Sequence, residues 1–148
     1  MQVSERRHVD SFGIVLFDAA RAWRLKLDQR LRPLGLSQAK WRTILAVFRA
    51  GEGIAQKDLA ERLGIEGPTL VRLLDRLAAD EWIERRDCPQ DRRSKRVYLL
   101  PRARETIRQI DAIAAELRAE LLSGLSDKDL KTSFQVLEAI RRKADTVP

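Results

Sequence analysis

The sequence has one cysteine, Cys88, and one histidine, His8, so it can close no disulfide within the chain and build no His-rich or zinc-finger site. It has no run approaching the twenty or so apolar residues that a bilayer span needs. Its first ten residues, MQVSERRHVD, lack the apolar core of a secretory leader. Neither membrane insertion nor export is expected, and the expected compartment is the cytoplasm. Low-complexity runs, internal repeats and flexible linkers are missing too. No nucleophile elbow, phosphate-binding loop or H-E-x-x-H motif occurs, so an enzyme is not expected, nor is a cofactor or a metal. What remains is 148 residues, 44% apolar, with only seven Gly and five Pro, which reads as one folded unit of ordinary size.

Charge is the first positive signal. Lys and Arg number 29 against 22 Asp and Glu, and 22 of the 29 are arginine. Arginine's planar fork of donors suits phosphates and guanine edges. Between Arg85 and Arg108 stand nine cations (Arg85, Arg86, Arg92, Arg93, Lys95, Arg96, Arg102, Arg104, Arg108) and three acids (Asp87, Asp91, Glu105). Most of the net charge of +7 therefore lies in about one sixth of the chain. A merely solvated surface would spread it, so this concentration reads as a footprint for a polyanion.

The apolar pattern predicts helices. Phe12, Val15, Leu16, Ala19, Trp23, Leu27 and Leu31 recur at threes and fours across residues 10–34, and Pro33 and Gly35 close that helix. Ser37 is a candidate N-cap, with Leu36 and Trp41 placed as a hydrophobic staple for a helix over 38–49. A short helix over 56–63 presents Leu59, Ala60 and Leu63. Gly64 allows a tight stop and Ile65 can plug the core beneath it. Pro68, suited to the first helical position, then opens a helix with Leu70, Leu73, Leu74 and Leu77 inward and Thr69, Arg72 and Arg76 outward. Two short helices joined this way form either an ordinary helical hairpin or a helix-turn-helix whose second member enters a major groove.

The next segments favour the second reading. Residues 82–87 and 95–100 alternate with period two around CPQDRRS, which predicts a β-hairpin with cations at its tip. A hairpin directly after a recognition helix is a wing, slender enough to bring an arginine to a minor groove. Helices over 103–122 and from Ser126 onward complete the chain. The expected fold is mainly α with a small β-hairpin wing. A winged helix-turn-helix lobe spans 38–100, and the helices over 10–34 and 103–146 either coat that lobe or pair with those of a second chain. Pairing is favoured, because one recognition helix reads few base pairs while a two-fold dimer reads two half-sites. The expected partners are therefore double-stranded DNA and a second copy of the chain. The competing readings are a non-specific architectural DNA-binding protein and a docking module. A recognition face of Thr69, Arg72 and Arg76, rather than a row of lysines, favours specific reading.

Nearly the whole chain resembles the MarR family of bacterial transcription regulators, and its SlyA-like branch in particular. The resemblance rests on RLRPLGLSQAKW, LAERLGIEGPTLVRLLDRLAADEWIERR and DCPQDRRSKRVYLL, the last fitting the family's D-x-R-x-x-R wing signature. It implies a homodimeric repressor or counter-silencer on a pseudo-palindromic operator, released by a small aromatic effector of the phenolic carboxylate kind, in a bacterial cytoplasm and on the nucleoid when bound. Carried over, Arg93 would be the minor-groove arginine, Asp91 would orient its guanidinium or simply form the turn, and Arg92 would meet backbone or groove edge, with Lys95 beside them. Pro68, Thr69, Arg72 and Arg76 would form the recognition face, while Arg96 is better read as a wing salt bridge. Arg24, Trp41 and Arg72 match positions that could hold the effector, and by the staple pattern Trp41 reads equally well as core. If Arg72 served both, competition for it would provide a switch. Cys88 is read as incidental, because cysteine-sensing relatives place the thiol in the first helix, which here has none.

Overall fold

The computed structural model describes the backbone of residues 2–148 and, apart from those of residues 1–6 and Arg92, their side chains. In chain order the elements are α1 (Gln2–Leu31), a 3-10 turn (Arg32–Leu34), α2 (Gln38–Ala50), β1 (Ile54–Ala55), α3 (Gln56–Leu63), α4 (Gly67–Ala79), β2 (Ile83–Cys88), β3 (Asp91–Leu99), α5 (Pro101–Leu121) and α6 (Asp127–Ala144). The mainly helical chain with a small antiparallel sheet is the architecture the pattern predicts. Two compact units divide it, Met1–Ala115 and Glu116–Pro148.

Local chemistry places most boundaries. The Ser37 hydroxyl accepts the Lys40 N–H at 3.3 Å and the Ser126 hydroxyl accepts the Asp129 N–H at 3.1 Å, each satisfying one otherwise orphaned donor of its helix. At the end of α3, Gly64 adopts φ +65°, its N–H donates to Glu61 O, and Ile65 N–H donates to Ala60 O. This paired return is a Schellman motif, and it turns the chain sharply into α4. Pro68 is the second residue of α4 rather than the first, with Glu66 as N-cap; its missing N–H falls in the first turn all the same. α1 runs further N-terminally than the expected start at residue 10, because Glu5, Arg6 and Arg7 continue the helix without a breaker.

Three strands form one antiparallel sheet in the order β1-β3-β2. β1 was not foreseen; two residues are too few for a period of two to register. The wing also differs from expectation. The seven-residue polar turn contracts to Pro89 and Gln90, and β3 begins already at Asp91. Cys88 pairs with Asp91 while the preceding Asp87 pairs with Lys95, so Arg92, Arg93 and Ser94 stand opposite no residue of β2. The wing tip is thus a bulge, a device that re-aims side chains out of a ladder.

One core lies beneath these elements in the first unit. Ile44 and Val47 of α2, Leu59 of α3, Leu70, Leu74 and Leu77 of α4, Ile83 of β2 and Val97 of β3 are all essentially inaccessible. Leu31 of α1 and Ala103, Ile107 and Ile110 of α5 belong to the same cluster, so the core reaches past 38–100 on both sides. Each such leucine contributes about 1.5–3 kcal/mol through burial. In the second unit, α6 leaves Phe134 66% and Leu137 45% exposed.

Gly53 joins α2 to the sheet. It adopts φ +72°, donates its N–H to Val97 O at 2.9 Å and accepts Arg96 Nη1 at 2.7 Å. A Cβ there would stand 3.0 Å from Tyr98 Oη, whereas one at Gly51, φ +84°, would meet open space. Gly53→Ala should therefore lose about 1–3 kcal/mol, from left-handed backbone plus crowding, and Gly51→Ala only about 1 kcal/mol. Urea unfolding of both variants measures the difference; equal losses would show that the Tyr98 contact relaxes freely.

Candidate nucleic-acid interface

The outer face of α4 is as the periodicity predicts. Pro68, Thr69, Arg72 and Arg76 are exposed, while Leu70, Leu74 and Leu77 point into the core. Among the described residues Arg72 and Arg76 make no ion pair, so both guanidiniums are available to a ligand. A concavity of about 770 Å³ separates the start of α4 from the wing, bordered by Gly64, Gly67, Leu70 and Val71 on one side and Asp91, Arg93, Ser94 and Lys95 on the other. The structure thus brings the wing tip and the start of α4 to one open surface, while Pro68, Thr69, Arg72 and Arg76 lie outside its lining.

Within the cationic stretch, most charges have partners in the protein. Arg85 donates to Asp75, Arg86 to Glu84, Lys95 to Asp87 and Arg104 to Glu52. Arg96 donates to the Gly53 carbonyl and Arg102 to that of Asp80. Arg86 also lies 4.0 Å over the Tyr98 ring, and Arg102 4.0 Å over that of Trp82. The guanidinium of Arg93 has no hydrogen bond or ion pair among the described residues. Asp91 does not hold that guanidinium; it accepts the backbone N–H of Arg93 at 2.9 Å. A short carboxylate reaches an amide two residues on more readily than a long side chain folds back to it, which is the geometry of an Asx turn. Asp91 therefore shapes the bulge from which Arg93 emerges. Lys95, expected beside Arg93, is tied across the hairpin to Asp87. The side chain of Arg92 lies outside the described residues.

Cys88 is buried at the turn, 7% exposed. The backbone N–H of Gln90 and the guanidinium of Arg96 stabilise its thiolate and hold the thiol below its ordinary range, against the opposing effect of burial. Arg96 thus faces Cys88 as well as the Gly53 carbonyl, where an arginine–carboxylate wing bridge was expected.

A second cleft of about 330 Å³ lies where α1, α2, α3 and α5 meet within the first unit. Leu27, Trp41, Leu45, Leu63 and Ile110 give it an apolar lining, and Arg24, Arg42, Arg49 and Arg62 stand around it with Asp111. Trp41 is 5% exposed and donates its indole N–H to Asp28 Oδ1 at 3.4 Å, so it is core and cleft lining at once. Arg24 and Trp41 are brought together as expected; Arg72 does not border this cleft. Direct competition between ligand and DNA for one guanidinium therefore has no geometric basis. Arg42 and Arg49 escaped the sequence reading although their seven-residue spacing sets them on one side of α2. Among the described residues no cluster of three His, Cys, Asp or Glu side chains could hold a metal ion, and no helix is long and apolar enough to cross a membrane.

Residues 34–94 match the model of the MarR family. The chain is 40% identical to the transcriptional regulator PA3341, whose crystal structure superposes with a TM-score of 0.82 over 92% of this chain and 99% of that one. Two more distant structures share the fold. A MarR transcriptional regulator from Methanosarcina mazei Go1 is 22% identical, with a TM-score of 0.83 over 94% of this chain and 99% of that one. A mutant MarR from E. coli, solved in complex with operator DNA, is 23% identical, with a TM-score of 0.78 over 90% and 95%.

The thiol makes a clean test of the wing electrostatics, because the chain has one cysteine. Followed by ultraviolet thiolate absorbance, Cys88 should titrate below the usual cysteine midpoint, and Arg96→Gln should move the midpoint up. Folding favours the thiolate, so stability should rise as pH climbs through the folded midpoint toward the unfolded one, and Cys88→Ser should remove that increment. An ordinary midpoint unaffected by Arg96→Gln would mean that the guanidinium contributes nothing.

Proposed function

The chain belongs to the MarR family, and on that premise we propose that it is a sequence-specific, DNA-binding regulator of transcription of the SlyA-like branch, acting as a homodimer on a pseudo-palindromic operator. The observation that carries the proposal is the pairing of two open cationic groups. Among the described residues Arg72 and Arg76 have no partner on the outer face of α4, and Arg93, also without one, stands on a bulge that borders the concavity at the start of that helix. Arg72 and Arg76, with Pro68 and Thr69, meet base edges in the major groove; Arg93 enters the flanking minor groove, where narrow A·T-rich segments concentrate negative potential. Most of the surrounding cations are held by acids, carbonyls or rings, which leaves a few directed contacts rather than the diffuse charge of an architectural protein.

Dimerisation rests on the terminal helices. In α1, Val9 is 76%, Val15 62% and Phe17 72% exposed, and in α6 Phe134 is 66% exposed. Exposed apolar surface of this extent marks a protein interface. The cleft beneath Trp41 is the effector site in this reading. Its apolar lining takes an aromatic ring, and Arg24 pairs with a carboxylate, in the manner of a phenolic acid. Occupation of the cleft relieves repression by altering the winged lobe rather than by taking Arg72 from DNA.

Selection of bound fragments from sheared genomic DNA at about 0.15 M salt tests the central claim. Recovery of a few fragments sharing an inverted repeat is expected; recovery without sequence preference would leave the architectural reading in its place. On the selected site, Arg93→Ala should weaken binding roughly 5- to 150-fold and lower the salt slope by about one. An unchanged slope would remove Arg93 from the groove. For the effector, salicylate should release the selected fragment from the wild type, and Arg24→Ala should require a higher concentration for the same release. No release by salicylate, or identical release from both proteins, would sink the assignment of Arg24.

A further inference from the structure

The recognition helix carries an acid on the surface assigned to DNA. Asp75 follows Arg72 by three residues on the exposed side of α4, and its side chain is 56% exposed. By charge alone a carboxylate there repels phosphates and weakens binding to any duplex. Its partner gives it a different role. Arg85 Nη2 donates to Asp75 Oδ1 at 2.5 Å, from a side chain only 27% exposed.

Arg85 stands on β2 opposite Val97 of β3, at the base of the hairpin whose far end carries Arg93. The remaining wing pairs, Arg86 with Glu84 and Lys95 with Asp87, stay within the sheet. At its C-terminal end α4 is fastened elsewhere, where Asp80 accepts Lys40 of α2 at 3.0 Å and its carbonyl accepts Arg102 of α5. Among the described residues, Asp75–Arg85 is thus the one ion pair that joins the recognition helix to the wing.

We propose that Asp75 and Arg85 are positioning residues for operator recognition: their ion pair sets the distance between the α4 face and Arg93, so that both grooves are met at once only on a matched site. The proposal deepens the DNA-binding reading and rests on it. Where two contacts must form together, the second is intramolecular, and its strength depends on how closely the protein holds the spacing beforehand. Specific binding needs that spacing. Non-specific binding is made by cations on phosphates wherever they fall, and it does not. The pair therefore acts on discrimination more than on affinity.

Two neutralising variants separate this from simple charge effects. Asp75→Asn removes an acid and Arg85→Gln a cation, so bulk electrostatics moves their DNA affinities in opposite directions and leaves the preference for the matched site intact. Positioning predicts that both lower that preference. The probe is the duplex most enriched by the wild type from a randomised pool, compared by fluorescence anisotropy with the same duplex after its half-sites are shuffled. The ratio of the two affinities should fall about fivefold in each variant. Arg85→Lys, which keeps a single charged donor, should recover most of it. A merely stabilising pair would change the melting temperature without changing the ratio. Parallel changes on both duplexes in the two variants, or no recovery with lysine, would overturn the positioning role. A wild type that shows no preference for its selected duplex would overturn the DNA-binding reading itself, and this inference with it.

Discussion

Like charges placed close together repel, and this constraint shapes the C-terminal half of the winged lobe. Nine cations fall within 24 residues, and a hairpin that carried them all unpaired would be pushed apart by its own field. The structure meets this by giving most of them a local partner: acids on the same sheet, an acid on the recognition helix, two backbone carbonyls and two aromatic faces. Individually such exposed pairs contribute little to stability, about 0–1 kcal/mol each. Collectively they decide which guanidiniums remain outward-facing, and hence where a polyanion can be gripped. Within this stretch the arginines are therefore mostly fastened, with a small remainder for binding.

Much of this was legible in the residues. The caps at Ser37 and Ser126, the left-handed stop at Gly64 and the inward leucines of α4 follow from short-range rules that need only a few neighbouring residues. The helix-turn-helix and the existence of a wing were accessible for the same reason. What could not be read depended on pairing across the chain. β1 exists only because Ile54 finds Val97, and the turn contracts to two residues because β3 shifts its register by a three-residue bulge. The acid partners of Arg85 and Arg104 lie ten and fifty-two residues away, at separations no periodicity reports.

The candidate sites divide along the same line. The exposure of Arg72 and Arg76 on α4 follows from pattern alone, whereas Arg93 is singled out by resemblance among several cations that pattern places at the wing tip. Asp91 was found with the wrong partner atom, since sequence spacing does not distinguish a guanidinium from the amide of the same residue. In the cleft, Arg24 and Trp41 came from resemblance, while Arg62 reaches it only because the C-terminal end of α3 packs beside α2 and α5. Shape created that site; no segment of the chain announces it.

The uncovered apolar residues of α1 and α6 bear on how much of the protein must be present. If a second copy covers them, folding and association are linked, and the melting temperature rises with protein concentration by mass action. Scarcity would then act twice, lowering both the number of molecules and the fraction of them that is assembled. Occupancy of a site that needs the paired form would climb more steeply than the amount of protein, giving a threshold in gene dosage that owes nothing to any effector.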